Sequence, residues 1–176
     1  MQIPVVLKVT MTPYQSHVYN WVKATGTLRL DPNGPLFGQR RHQFAPLNNK
    51  VMELRKVCNH PLLSYPHQEY TLESLVRQCG KLSVLDRVLI KLYKAGHRVL
   101  LFSTMTKLLD LVEVYMKWRR MDDGSAFNYR RIDGGVLSLY LEFDPTFCVF
   151  QEPPWRKEKL QLEISINRDR MFFYFC

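Results

Sequence analysis

The hydrophobic positions along the chain fall into four helical stripes, one buried strand and one weaker strand. Thr12-Pro13 reads as a helix start, with threonine at the N-cap and proline at the first helical position. Tyr14, Val18, Trp21 and Val22 follow at helical steps, and Thr25-Gly26 closes the element. Val51, Leu54 and Val57-Cys58 make a second apolar face, with Lys50, Arg55 and Lys56 mostly off it. Asn59-His60-Pro61 ends that helix, because the residue before a proline is driven out of the helical region; His60 is read as capping the end. After Gly80, Leu82, Leu85, Val88, Leu89 and Leu92 recur at three- and four-residue steps until Gly96. Arg98-Val99-Leu100-Leu101-Phe102 is a short continuous apolar run, the pattern of a strand buried on both faces of a parallel sheet. Leu108, Leu111, Val112, Tyr115 and Trp118 form the next helical face, and Tyr129-Arg130-Arg131-Ile132 a weaker strand. Strand, helix, strand at this spacing predicts a βαβ unit.

The stripes are interrupted twice. Residues 31–50, with Asp31-Pro32-Asn33-Gly34-Pro35 and Gly38-Gln39-Arg40-Arg41-His42, read as a linker. Beyond Gly134 the periodicity is lost: Pro153-Pro154, an aperiodic charged stretch and the aromatic end Met171-Phe172-Phe173-Tyr174-Phe175-Cys176 predict an irregular, poorly ordered tail. Three pieces are expected: a helical piece over 1–78, a partial α/β lobe over 79–134, and the tail over 135–176.

Charge adds a partner. Residues 1–120 carry 18 basic and 7 acidic side chains, and residues 121–176 carry 7 and 9; the body is thus +11, the tail −2, and the chain +9. A basic body points to a polyanion such as nucleic acid, against a merely solvated surface. No apolar run approaches the length of a membrane span, so no membrane partner is expected. No basic-then-apolar leader opens the sequence, which argues against secretion. Cys58, Cys79, Cys148 and Cys176 include no C-x-x-C pair and no zinc-finger spacing, so free thiols in cytosol or nucleus are expected.

No chemistry of catalysis is visible. The 176 residues contain no G-x-x-x-x-G-K-[ST], no G-x-G-x-x-G, no acidic pair after an apolar strand, and no recognisable triad. Asp122-Asp123 reads as a solvated loop pair. Binding remains. Ser103 and Thr104 lie at the carboxyl end of the buried strand, where ligands of α/β sheets sit, and hydroxyls with helix amino-terminal amides suit phosphate oxygens. Thr106 is open between that role and capping its own helix. Arg130 and Arg131 point to opposite faces of a strand, so at most one serves a given phosphate.

These residues also carry a resemblance. Leu54-Arg55-Lys56-Val57-Cys58-Asn59-His60-Pro61-Leu62-Leu63 resembles the segment joining the motor lobes of chromatin-remodelling ATPases of the Brahma, SWI/SNF type, plant-like in detail. Cys79-Gly80-Lys81-Leu82, with Gly96-His97-Arg98-Val99-Leu100-Leu101-Phe102-Ser103-Thr104-Met105-Thr106, resembles the opening of their second RecA-like lobe. Tyr129-Arg130-Arg131-Ile132-Asp133-Gly134 resembles that lobe's next motif, and Tyr19-Asn20-Trp21-Val22-Lys23-Ala24-Thr25-Gly26-Thr27-Leu28 the helical protrusion of the first lobe. The match runs over about residues 3–134.

The resemblance implies an α/β fold: protrusion and brace helices followed by a partial RecA-like lobe. It implies a nuclear, ATP-dependent motor that remodels nucleosomes and contacts DNA and partner subunits. The family's phosphate loop and acidic magnesium motif lie upstream of the matched part and its arginine fingers downstream. These residues are therefore expected to bind neither ATP nor magnesium and not to hydrolyse ATP. They are expected to keep weak DNA-backbone contact through Ser103, Thr104, Arg130 and Arg131. A contact piece for partner subunits is the alternative. Gly135-Val136 stand where the family has small hydroxyl residues, and Met121 to Asn128 form an extra loop.

Overall fold

A computed structural model describes residues 3–29, 44–65, 68–121, 124–132, 147–151, 162–167 and 170–175. The first strand, β1 (Ile3–Leu7), leads to α1 (Pro13–Thr25). Thr12 caps α1 as expected: its Oγ1 accepts from the Gln15 N–H, and the Gln15 side chain accepts from the Thr12 N–H in return. Gly26 closes the helix at φ 65°, a left-handed conformation that favours glycine. β2 (Thr27–Arg29) and β3 (Phe44–Pro46) then pair as a small antiparallel ladder. Phe44–Pro46 falls inside the stretch read as a linker; three residues are too few to show an alternating pattern.

α2 (Lys50–Asn59) ends where Pro61 demands, and Pro61–Leu63 forms one 3-10 turn. The His60 ring caps that turn: Nδ1 accepts from the Leu62 N–H at 3.1 Å, and Nε2 donates to the Leu75 carbonyl at 2.8 Å. A short α3 (Leu72–Arg77) precedes α4 (Gly80–Lys94). β4 (Arg98–Ser103), α5 (Thr106–Trp118) and β5 (Tyr129–Ile132) follow the predicted positions.

Burial follows the stripes. Leu82, Leu85 and Leu89 of α4 pack with Val99 and Leu101 of β4 and with Leu108, Leu109, Val112 and Tyr115 of α5. Leu62, Leu63 and Leu75 join that cluster from the preceding segment. A separate cluster holds Val18 and Val22 of α1 against Val57 of α2 and Tyr65. Val51, assigned to the apolar face of α2, is 68% exposed instead; it sits one turn beyond the contact with α1.

The βαβ reading holds in direction but not in adjacency. β4 and β5 are parallel, yet β6 (Phe147–Gln151) lies between them. β7 (Leu162–Asn167) and β8 (Arg170–Phe175) complete a six-stranded sheet of order β1-β7-β8-β4-β6-β5. Within the tail expected to be irregular, the described residues thus form three strands. β6 and β8 are largely apolar and aromatic, a composition that favours strand, while Leu162-Glu163-Ile164-Ser165-Ile166-Asn167 of β7 alternates apolar and polar residues; Asp122-Asp123 and residues 133–146 lie outside the described part.

Candidate nucleic-acid interface

The brace segment is built around the end of α2. The carbonyl of Val57 would normally accept from the residue four positions on, but that residue is Pro61, which has no N–H. The Gln15 amide from α1 supplies the donor instead, with Nε2 at 3.0 Å from the Val57 oxygen and 3.4 Å from that of Cys58. The same side chain accepts from the Gly80 N–H at 2.9 Å, at the start of α4. The Cys79 thiol donates to the Asn59 carbonyl, and burial pushes its pKa up to about 11. Asn59 Oδ1 accepts from buried Lys81 Nζ at 2.7 Å, while Nδ2 reaches Met105 Sδ at the head of α5. One polar joint therefore fixes α1, α2, α4 and the start of α5 relative to one another.

A cleft of about 230 Å³ lies at the carboxyl end of β4, and Met105 belongs both to its lining and to that joint. Met52, Leu63 and Met105 form its apolar part; Lys56, Thr104, Thr106 and Lys107 its polar part. Thr104 Oγ1 is buried and has no hydrogen-bond partner among the described residues. The first turn of α5 carries no acidic residue, so the positive end of its dipole is not offset there. Lys56 also pairs with Glu53 at 2.9 Å.

The four candidate residues separate in this geometry. Ser103 is fully buried, and its Oγ accepts from the Met105 N–H at 3.1 Å, shaping the turn rather than facing outward. Thr104 lines the cleft. Thr106 opens α5 without capping it, since the N-cap is Met105 and no side chain bonds there. Arg131 lies level with Leu101, two strands across the sheet and about 9–10 Å away. Its guanidinium is held by Asp110 at 2.6 Å and Glu113 at 3.1 Å on α5. The Lys117 ammonium, together with Arg131 and Tyr129, holds the Glu113 carboxyl below its usual range. Arg130 points to the opposite face, as strand alternation requires, and is exposed. The structure brings Thr104 together with Lys56, Thr106 and Lys107, and it sets both arginines apart.

Lys56 was legible only as lying off the apolar face of its helix, and Lys107 was not singled out, yet both line the cleft. The signal available was Lys107 in the first turn of a helix that follows a buried strand. Among the described residues, no group of three or more His, Cys, Asp or Glu could hold a metal ion, and no helix is long and apolar enough to cross a membrane.

No protein-family model matches the chain. The chain is 53% identical over 140 residues to "ATP-dependent helicase BRM" of Arabidopsis thaliana, a match covering 76% of this chain and 6% of that protein. The chain thus spans a small part of its relative. Its fold is similar to the "SWI2/SNF2 ATPase C-terminal domain" of Sulfolobus solfataricus, with a TM-score of 0.54 at 13% identity, covering 82% of this chain and 61% of that one. It is also similar to the SWI2/SNF2 ATPase core of the same organism in complex with dsDNA, with a TM-score of 0.51 at 13% identity, covering 81% and 29%. Taken with the ordered motifs from the protrusion through the second lobe, this identity places the chain in the SWI2/SNF2 ATPase family, in its Brahma branch.

Proposed function

We propose that this segment supplies part of the DNA-backbone contact of an ATP-dependent chromatin remodeller. A duplex phosphate sits at the head of α5, where it accepts from the Thr104 hydroxyl and faces Lys107. The observation that carries this reading is the buried, unpartnered Thr104 Oγ1 in a cleft flanked by Lys56 and Lys107. The dsDNA bound to the similar Sulfolobus core supports it by analogy of fold. Ser103 shapes the turn, and Arg131 braces β5 against α5. Exposed Arg130 lies apart from the cleft and makes a separate, outlying phosphate contact.

The whole protein works in the nucleus on nucleosomal DNA with ATP and magnesium. These 176 residues alone, which include no phosphate loop, do not turn over ATP. The test is duplex binding by the chain across a salt series. Binding falls steeply with salt, and Lys107→Ala lowers the slope of log K against log salt by about one. An unchanged slope would remove Lys107 from the contact.

A second reading, contact with partner subunits of a remodelling complex, has its own observation. Trp21 and Phe44 stack at 5.3 Å between centroids and are 36% and 45% exposed, an aromatic pair on the protrusion. Protein contact there would be far less sensitive to salt.

A further inference from the structure

The strand order β1-β7-β8-β4-β6-β5 never places two strands of residues 1–132 side by side. β4 lies between β8 and β6, β5 pairs only with β6, and β1 pairs only with β7. Each ladder of this sheet includes a strand from residues 147–175. Yet β4 is the strand the core is built on: Val99 and Leu101 are 1% exposed and pack under α4 and α5. A strand so buried cannot leave its N–H and C=O groups unpaired on both edges.

We propose that the strands β6, β7 and β8 act as an internal strand donor. β6 and β8 insert on either side of β4 in parallel register and supply the main-chain hydrogen bonds that make the sheet. Strand addition of this kind is recognised through the backbone, with side chains adding only the fit to each face. The side chains of the added strands are therefore only loosely constrained. The runs Phe147-Cys148-Val149-Phe150 and Met171-Phe172-Phe173-Tyr174-Phe175 consist almost wholly of strand-forming residues.

The test is amide hydrogen exchange in the full chain. Leu101 has Val149 as its register partner on one side and Phe173 on the other. Val149→Pro and Phe173→Pro each interrupt one ladder. Exchange at residues 99–103 should rise on the order of 100-fold in either variant, while α1, in its separate core cluster, stays protected. Fast exchange at 99–103 in the unaltered chain, or no change in either variant, would overturn the proposal. Should a variant fail to fold, a cross-link in the full chain decides. Arg130 is the register partner of Cys148, and neighbouring strands bring α-carbons within disulfide range. On oxidation, Arg130→Cys should link to Cys148 within one molecule. A link between molecules, or none, would show that β6 is not donated internally.

Discussion

Replacing Gln15 by leucine tests the joint that orients the lobe against the brace. The side chain is 1% exposed and, besides accepting from the Thr12 N–H of its own cap, makes two short bonds to other elements, as donor to the Val57 carbonyl at 3.0 Å and as acceptor from the Gly80 N–H at 2.9 Å. Leucine fills much of the volume but makes neither bond. The Val57 carbonyl has no fallback within its helix, because Pro61 has no N–H to give. Leaving a buried polar group unpaired costs about 1–3 kcal/mol, so two such groups cost about 2–6 kcal/mol, partly offset by the burial of extra apolar surface. For a chain of this size about 1 kcal/mol moves the melting temperature by about 2–4 °C. A net loss of about 3 kcal/mol therefore lowers Tm by about 6–12 °C. Circular dichroism melts of the chain and of Gln15→Leu measure it. A shift below about 2 °C would mean that the joint opens to water or repacks, and the account of how α2 is terminated would fail.

Other outcomes follow from the same geometry. A Cβ at Gly80 would run into the Thr10 carbonyl oxygen, a backbone atom with little room to yield; Gly80→Ala should lower the urea midpoint by the equivalent of about 2 kcal/mol or more, and an unchanged midpoint would show that the Thr10 backbone moves aside. Burial holds the His60 ring at a pKa of about 4, below its ordinary 6.5, with its bond to the Leu75 carbonyl opposing the shift only in part. The unfolded chain then binds the proton more tightly, so this residue's contribution is present in full above pH 6.5 and is lost as pH falls toward 4, by about 3 kcal/mol in all. Urea titrations at pH 7 and pH 4.5 should show that loss, and His60→Gln should flatten the difference. An equal pH dependence in that variant would assign the loss to carboxylates.

Much of the fold was legible because the relevant signals are local. Thr12-Pro13 and Gly26 mark both ends of α1, and the leucine spacing of α4 and the apolar run of β4 state their own environments. Side-chain direction was not legible. Ser103 and Thr104 are neighbours of similar chemistry, yet one hydroxyl turns back onto the Met105 amide and the other lines a cleft; only the turn geometry separates them. Arg131 reads as a free cation until α5 brings Asp110 and Glu113 against it. Lys81 is charged in the sequence and buried in the fold, because Asn59 from a distant helix meets it. Strand adjacency is likewise a long-range property. Nothing local to β4 and β5 says that β6 separates them; β6 and β8 lack alternation, and only Leu162-Glu163-Ile164-Ser165-Ile166-Asn167 of β7 carries it.

The most direct test of the DNA-contact reading is an amide NMR titration of the chain with a short duplex at low salt. The largest shifts should fall at residues 104–107, reversed by added salt and lost in a Thr104→Val, Lys107→Ala double variant. Shifts centred on Trp21 and Phe44, or none at the head of α5, would contradict it.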